Sequence, residues 1–183
     1  LYVDTGLSVQ AEKDSINQIR REYPDTLEAG LVFGQIPVPY SGGFTTDNVP
    51  DGHNDHTGAW PADVFYATDS GAWTDIQAFD TTSRYQRNYN EARDGKFDPS
   101  SLVDVRSEAE LMVGRVDLSD LPAFGESELT LLKRYLRKDH AYRHGEVSVR
   151  QRGVIDDNFN FPEGFGQNGY RNFPTMVGKD QVE

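Results

Sequence analysis

Side chains that carry oxygen and nitrogen donors are concentrated between residues 47 and 75. The run DNVPDGHNDHTGAWPADVFYATDSGAWTD contains six aspartates and two histidines, together with two tryptophans. Carboxylate and amide oxygens are the ligands that Ca²⁺ takes from loops, and imidazole nitrogens suit Zn²⁺. The sequence therefore predicts a cation site in this region. Its candidate ligands are Asp47, Asp51, His53, Asn54, Asp55, His56, Asp69 and Asp75.

Three interpretations of this acidic region are open. Calcium is the cofactor that we expect, because closely spaced oxygens flank Gly52, which permits a tight turn, although the spacing differs from that of an EF-hand loop. His53 and His56 could instead bind zinc or another transition metal. The third interpretation is a solvated loop without a metal, since Asp, Asn and Gly are common turn residues.

Two other positions could do chemistry. His140 and His144 are four residues apart near the end of a predicted helix. They could bind a metal, or simply interact with the negative end of the helix. Arg115 lies in an otherwise apolar run, so it needs a carboxylate partner, for which Asp63 and Asp117 are the candidates.

Composition excludes several classes of function. The net charge is −12, which argues against nucleic-acid binding because the phosphate backbone requires a basic surface. There is no cysteine, so disulfides, thiolate zinc sites and cysteine nucleophiles are excluded within these residues. No apolar run approaches the length of about 20 residues that a membrane helix needs.

Regular elements are expected at both ends of the chain. Helical spacing predicts a helix over 9–23, closed by Pro24, and Leu31 to Phe33 reads as a buried strand ended by Gly34. A second buried strand is predicted over 111–116. The clearest helix then follows, with Leu129, Leu132 and Leu136 as its apolar stripe and Gly145 as its cap.

The segment between these regions, residues 41–108, is rich in glycine turns and aromatic residues. We expect it to be a long ordered loop insertion in which only ADVFYA and AWTDIQAF form short strands. After the clear helix, VSVRQRGVIDDNF predicts a third strand, joined by a right-handed crossover, with Val154 and Ile155 at its buried end. The predicted fold class is therefore α/β with a parallel sheet, a partial three-layer sandwich of Rossmann-like type. Residues 1–183 are expected to form a single α/β domain or subdomain.

Three segments taken together are informative: GAWPADVFYATDSGAWTD, LMVGRVDLSDLPAF and LLKRYLRKDHAYRHGEVSVRQRGVIDDNF. They resemble the first half of a gingipain-like cysteine peptidase domain, which has a caspase-like fold. The Val-Gly-Arg motif of that family is matched by residues 113–115, and its acidic turn by Asp69-Ser70-Gly71 with Asp75. The run from Pro50 to Asp63 is also similar to one in uncharacterised large secreted bacterial proteins. The resemblance implies an extracellular or cell-surface location.

The resemblance leaves two functions open. Gingipain-like peptidases use a Cys-His pair that follows the third strand, whereas this sequence has no cysteine. We expect a non-catalytic, cation-stabilised structural or interaction module whose partners are other domains of its parent chain or copies of itself. Its basic residues between 133 and 152 would then meet acidic surfaces. The alternative is the amino-terminal subdomain of a cysteine endopeptidase whose Cys-His pair lies beyond residue 183, because the chain starts at Leu1 and reads as a fragment.

Overall fold

The computed structural model describes residues 6–43, 57–69, 71–77, 79–99, 109–148, 152–155 and 166–178. The architecture is mixed α/β. The helices are α1 (Val9–Glu22), α2 (Val64–Ala67), α3 (Glu128–Arg143) and α4 (Gln167–Val177). The strands are β1 (Ala29–Phe33), β2 (Tyr40–Ser41), β3 (Trp60–Pro61), β4 (Phe79–Asp80), β5 (Asn90–Glu91) and β6 (Met112–Val116). Contacts divide the chain into two compact units, Leu1–Glu128 and Leu129–Glu183. A single domain over residues 1–183 stays a prediction.

A parallel pair of strands, β1 and β6, confirms the predicted α/β class in its coarse form. The register runs from Ala29 opposite Met112 to Phe33 opposite Val116. The prediction that both strands are fully buried is wrong. Val32 faces the core and is 8% exposed, whereas Leu31 and Met112 on the opposite face are 58% and 66% exposed. Only one face of this sheet is therefore covered in the described part of the chain.

Helix α1 confirms the prediction over 9–23 and covers the buried face. The Ser8 hydroxyl accepts a hydrogen bond from the Ala11 N–H and so caps the helix at its start. Val9 and Ile16 of α1 pack against a core formed by Val32, Phe65 and Tyr66. The Ser8 cap thus fixes the start of the helix, and its apolar side chains pack it against the sheet.

Helix α2 corrects the expected strand ADVFYA. The N–H of Phe65 donates to the Ala62 carbonyl and that of Tyr66 to the Asp63 carbonyl, which winds the chain into a short helix. Phe65, Tyr66 and Ala67 are all buried. A half-buried strand would alternate its side chains between two faces and leave every second one exposed. Because three consecutive residues are buried here, a short helix forms in the core, although these residue types have a high strand propensity.

The expected strand AWTDIQAF is also wrong over its described residues. Residues 72–77 are irregular, and only Phe79 belongs to a strand, the two-residue β4 that pairs antiparallel with β5. Trp73 anchors this segment. Its ring lies 5.2 Å from that of Phe65 and 5.4 Å from that of Phe97, so this irregular segment is attached to the core through aromatic contacts.

In the second unit, α3 confirms the clearest helix of the sequence and its cap. The Glu146 N–H donates to the Ala141 carbonyl and the Gly145 N–H to the Tyr142 carbonyl, with Gly145 at φ 67°. These bonds satisfy carbonyls of the last turn through a left-handed glycine, as predicted.

The apolar stripe predicted for α3 is wrong. Leu129 and Leu136 are 61% and 49% exposed, whereas Leu131 is buried. The helix carries apolar residues on more than one side, so periodicity alone does not select the buried one.

At residues 147–148 and 152–155, the described part of the expected third strand, Gly153 forms a single β-bridge and there is no continuous strand. Val154 is 65% exposed rather than buried. Gly153 instead lies against Phe173 of α4, where a Cβ would approach the ring to 2.4 Å. Helix α4 itself was not predicted, because QNGYRNFPTMV contains a glycine and a proline that are poor interior helix residues. In the described residues, no helix has the length and apolar character needed to cross a membrane.

Candidate functional site

The guanidinium of Arg115 occupies the carboxyl end of the parallel strand pair. Its Nε donates to Asp63 Oδ2 at 2.7 Å and its Nη2 to Asp63 Oδ1 at 2.8 Å. Its Nη1 also donates to the Ile36 carbonyl at 2.7 Å, and its Nη2 to the Pro37 carbonyl at 3.2 Å. The hydrogen bonds that Arg115 donates to the Asp63 carboxylate raise the pKa of Arg115 above its ordinary value. Of the two predicted partners, Asp63 forms the ion pair, which ties β6, α2 and the segment after β1 together.

Tyr66 reinforces the same corner of the fold. Its phenol donates to the Pro37 carbonyl at 2.7 Å, next to the Arg115 guanidinium. Burial raises the pKa of Tyr66 to about 12, so the phenol is neutral and a hydrogen-bond donor at physiological pH. The carboxyl end of the strands, where α/β folds often bind ligands, is therefore filled by a saturated polar network.

Lys13 is a buried cation that the sequence analysis missed. It is only 6% exposed, its Nζ donates to the Thr68 hydroxyl at 3.2 Å, and it lies 4.1 Å from the centre of the Phe65 ring. Desolvation lowers the pKa of Lys13, although Asp69 and Glu110 act against that shift. The sequence signal was its position on the apolar stripe of α1, four residues after Val9 and three before Ile16.

Asp98 shows how the acidic residues of the irregular region are used. It is 2% exposed and its carboxylate accepts hydrogen bonds from the Thr74 hydroxyl at 2.6 Å and from the N–H groups of Ile76 and Gln77 at 3.0 Å. A segment without a strand partner would leave these donors unsatisfied. The carboxylate replaces the missing strand.

Asp80 and Asn90 hold the two ends of residues 44–56. Asp80 Oδ2 accepts from the Gly58 N–H at 2.9 Å, on one side of this segment. On the other side, Asn90 Nδ2 donates to the Gly42 carbonyl at 2.5 Å and to the Phe97 carbonyl at 2.9 Å. Asp80 and Asn90 are almost completely buried and face each other across β4 and β5.

Backbone contacts complete this arrangement, which we call the clamp and define as Gly42, Gly58, Asp80, Asn88 and Asn90. The Asn88 carbonyl accepts from the Ala59 N–H at 2.7 Å. Gly58 has φ 86°, and a Cβ on it would lie 2.1 Å from the Asn88 oxygen, so only glycine fits there. β2 and β3 pair directly on either side of the segment.

Six of the predicted cation ligands lie outside the described residues. They are Asp47, Asp51, His53, Asn54, Asp55 and His56. The other two are described and are not brought together. The Asp69 N–H binds Glu110 Oε2 at 2.8 Å, and its side chain is exposed. The Asp75 carboxylate accepts from the N–H groups of Arg93 and Gly95 at 2.6 and 2.8 Å. Within the described residues, no group of three His, Asp or Glu side chains has the geometry of a metal site.

His140 and His144 are brought together at the end of α3, with their ring centres 4.1 Å apart. Asp156, Asp157 and Asn158, at the end of the segment predicted as the third strand, lie outside the described residues. Comparison of the chain with protein-family models, with curated proteins and with solved structures gave no match.

Proposed function

We propose that this chain is a non-catalytic structural or interaction module in which residues 44–56 bind a calcium ion above the clamp. The module is built on a caspase-like, gingipain-like arrangement and acts outside the cell or at its surface. Its partners are other domains of the same parent chain or further copies of itself. The observation that carries the proposal is the clamp, because it fixes both ends of the segment that contains Asp47, Asp51, Asn54 and Asp55.

The clamp matters because ion binding by a loop is opposed by the entropy of ordering that loop. Gly42 and Gly58 already hold the two ends next to each other, so part of this ordering is complete before an ion arrives. The thirteen residues between Gly43 and Thr57 contain Asp47, Asp51 and Asp55 as well as Asn54. These oxygens match the preference of Ca²⁺, which takes six to eight oxygen ligands from flexible loops.

The use of the other carboxylates supports a module without catalysis. Asp63 is paired with Arg115, while Asp75, Asp80 and Asp98 accept hydrogen bonds from backbone N–H groups. A carboxylate that holds backbone donors is a structural element rather than a proton-transfer group. The sequence also contains no cysteine for nucleophilic catalysis.

Calcium-dependent unfolding tests the proposal. A ligand at 100 times its dissociation constant stabilises the folded state by about 2.7 kcal/mol, so millimolar Ca²⁺ should raise the melting temperature and a chelator should reverse the effect. The pair Asp51→Asn and Asp55→Asn should abolish the shift. Asp14→Asn with Asp25→Asn, two exposed residues of the same unit, removes the same charge and should leave the shift intact. A shift that is absent in the wild type, or that survives Asp51→Asn with Asp55→Asn, contradicts the proposal. Loss of the shift in a His53→Asn, His56→Asn variant, together with stabilisation by Zn²⁺ rather than Ca²⁺, would assign a transition metal instead.

A second proposal is the amino-terminal subdomain of a gingipain-like cysteine endopeptidase whose Cys-His pair lies beyond residue 183. The order β1, then β6 with Val113-Gly114-Arg115, then α3 supports it, because the resemblance implies this order. The sequence of the parent gene is the test. A His-Gly motif followed by a cysteine after a buried strand supports the peptidase, and a parent chain without them leaves only the module.

A further inference from the structure

The two histidines at the end of α3 form a close pair that the proposed calcium loop does not use. His140 lies in the last turn of the helix, and His144 follows its end, with the His144 N–H donating to the His140 carbonyl at 3.0 Å. Their ring centres are 4.1 Å apart and the ring planes are tilted by 36°. Both residues are exposed, so an ion can reach them from solvent.

Two imidazoles four residues apart on one helix face can hold a single metal ion. The rings already lie side by side, and each needs only a small rotation of an exposed side chain to direct a nitrogen at an ion about 2.0–2.1 Å away. Neutral imidazole prefers copper, nickel and zinc over calcium and magnesium, which prefer oxygen. This pair is therefore chemically different from the acidic segment 44–56.

The electrostatic surroundings do not oppose a cation. Of the residues that line the depression around the pair, Arg137 and Arg143 are positive and Asp139 and Glu146 are negative, so their formal charges cancel. Arg143 is also held by Asp139, with Nε and Oδ2 2.9 Å apart. The carbonyl end of α3 adds the negative end of the helix dipole.

We propose that His140 and His144 together bind one divalent transition-metal ion, with water in its remaining coordination positions. The order of affinity should follow the general series for nitrogen sites, with Cu²⁺ bound more tightly than Ni²⁺ or Zn²⁺. Simple stacking of the two rings, without an ion, is the competing explanation of the same geometry, and it predicts no metal affinity.

Titration of the full chain with Cu²⁺ in a non-coordinating buffer, followed by calorimetry and by electron paramagnetic resonance, tests the site. The wild type should bind one equivalent with a spectrum of nitrogen coordination. His140→Asn and His144→Asn should each weaken that binding by at least about tenfold. Even the loss of a residue that only hydrogen-bonds to a metal ligand lowers metal affinity about 10- to 100-fold.

The matched control is His53→Asn with His56→Asn, which removes the only other histidines of the sequence. This control should bind Cu²⁺ as the wild type does. Equal binding by His140→Asn, His144→Asn and the wild type overturns the proposal, and so does loss of binding in the control alone. Because both residues are exposed, their variants should fold as the wild type does, and circular dichroism spectra check this. The calcium-dependent melting shift is measured in the same variants, so the two metal proposals fail independently.

Discussion

Replacement of Asp63 by asparagine is expected to destabilise the first unit by about 2–3 kcal/mol. The substitution keeps the shape of the side chain and one acceptor, but it removes the charge that faces Arg115 across contacts of 2.7 and 2.8 Å. Breaking a fully buried pair costs about 3–5 kcal/mol, whereas an exposed pair contributes about 0–1 kcal/mol. The side chains of Arg115 and Asp63 are 16% and 28% exposed, which places this pair between the two limits and nearer the buried one.

A double-mutant cycle separates the pair from its surroundings. Arg115→Met keeps the aliphatic stem but removes the donors to the Ile36 and Pro37 carbonyls as well, so it should cost at least as much as Asp63→Asn. In the double variant the asparagine no longer faces a buried cation. The double variant should therefore lose about 0.5–3 kcal/mol less stability than the sum of the two single variants, the range of coupling found for residues in contact.

Urea unfolding followed by tryptophan fluorescence is the assay. The sequence has two tryptophans, Trp60 and Trp73, and both lie in the first unit, so their signal reports on the unit that contains the ion pair. Asp14→Asn is the control, because Asp14 is exposed on α1 and its side chain accepts from Gln10, so it should cost less than about 0.5 kcal/mol. A cost for Asp63→Asn as small as that of the control, or strict additivity in the cycle, would refute this account of the corner.

Three further perturbations test the other contacts. Asp98→Asn should cost about 2–4 kcal/mol in urea unfolding, because an amide group would face N–H donors that the carboxylate now satisfies; a neutral result would show that these donors have other acceptors. Gly58→Ala should prevent stable folding, since its Cβ would overlap the Asn88 carbonyl oxygen. The control is Gly95→Ala, which should cost only about 1–2 kcal/mol, because Gly95 has φ 90° but no atom within 4 Å of the added Cβ. Thermal unfolding compares the two variants, and equal losses of stability would contradict the clamp. At neutral pH Lys13→Met should be more stable than the wild type, because it removes a buried charge. This difference should shrink as the pH rises towards 10.5, because the pKa of Lys13 is lowered in the folded state and the wild type loses its buried charge within that range. A difference in unfolding free energy between the two proteins that does not change with pH would contradict this prediction.

The local signals of the sequence predicted the elements that they control. The predicted cap of α3, Gly145, follows the end of that helix, and Pro24 follows the end of α1 as predicted. Ser8 at the start of α1 is a signal of the same kind that the sequence analysis did not use, and each of the two caps is a contact between residues within five positions of each other. The partner of Arg115 was also predictable, because a guanidinium in an apolar strand needs a carboxylate and few were in reach.

The rest depended on contacts between residues far apart in the sequence. The Phe65-Tyr66 segment has the composition of a strand, but its position between α1 and β6 requires consecutive side chains to be buried, and a helix provides that. Lys13 reads as a surface residue until Phe65 and Thr68 are placed around it. That the Asp75 carboxylate accepts from the N–H groups of Arg93 and Gly95 could not be predicted, because nothing in the sequence shows which backbone N–H groups lack a partner.

The need for backbone acceptors explains why the irregular region contains so many aspartates. A chain with long irregular segments has many N–H groups without a strand or helix partner, and each costs free energy when it is buried. Asp75, Asp80 and Asp98 supply the missing acceptors, and each one accepts from the backbone N–H groups of two residues. A high density of aspartates is therefore first of all a way to order loops without regular structure. It indicates a cation site only where the acids exceed the backbone donors available to them, and variants of Asp51 and Asp55, compared with Asp98→Asn, distinguish these two uses. Loss of calcium-dependent stabilisation belongs to the first pair, and loss of stability at every calcium concentration belongs to Asp98.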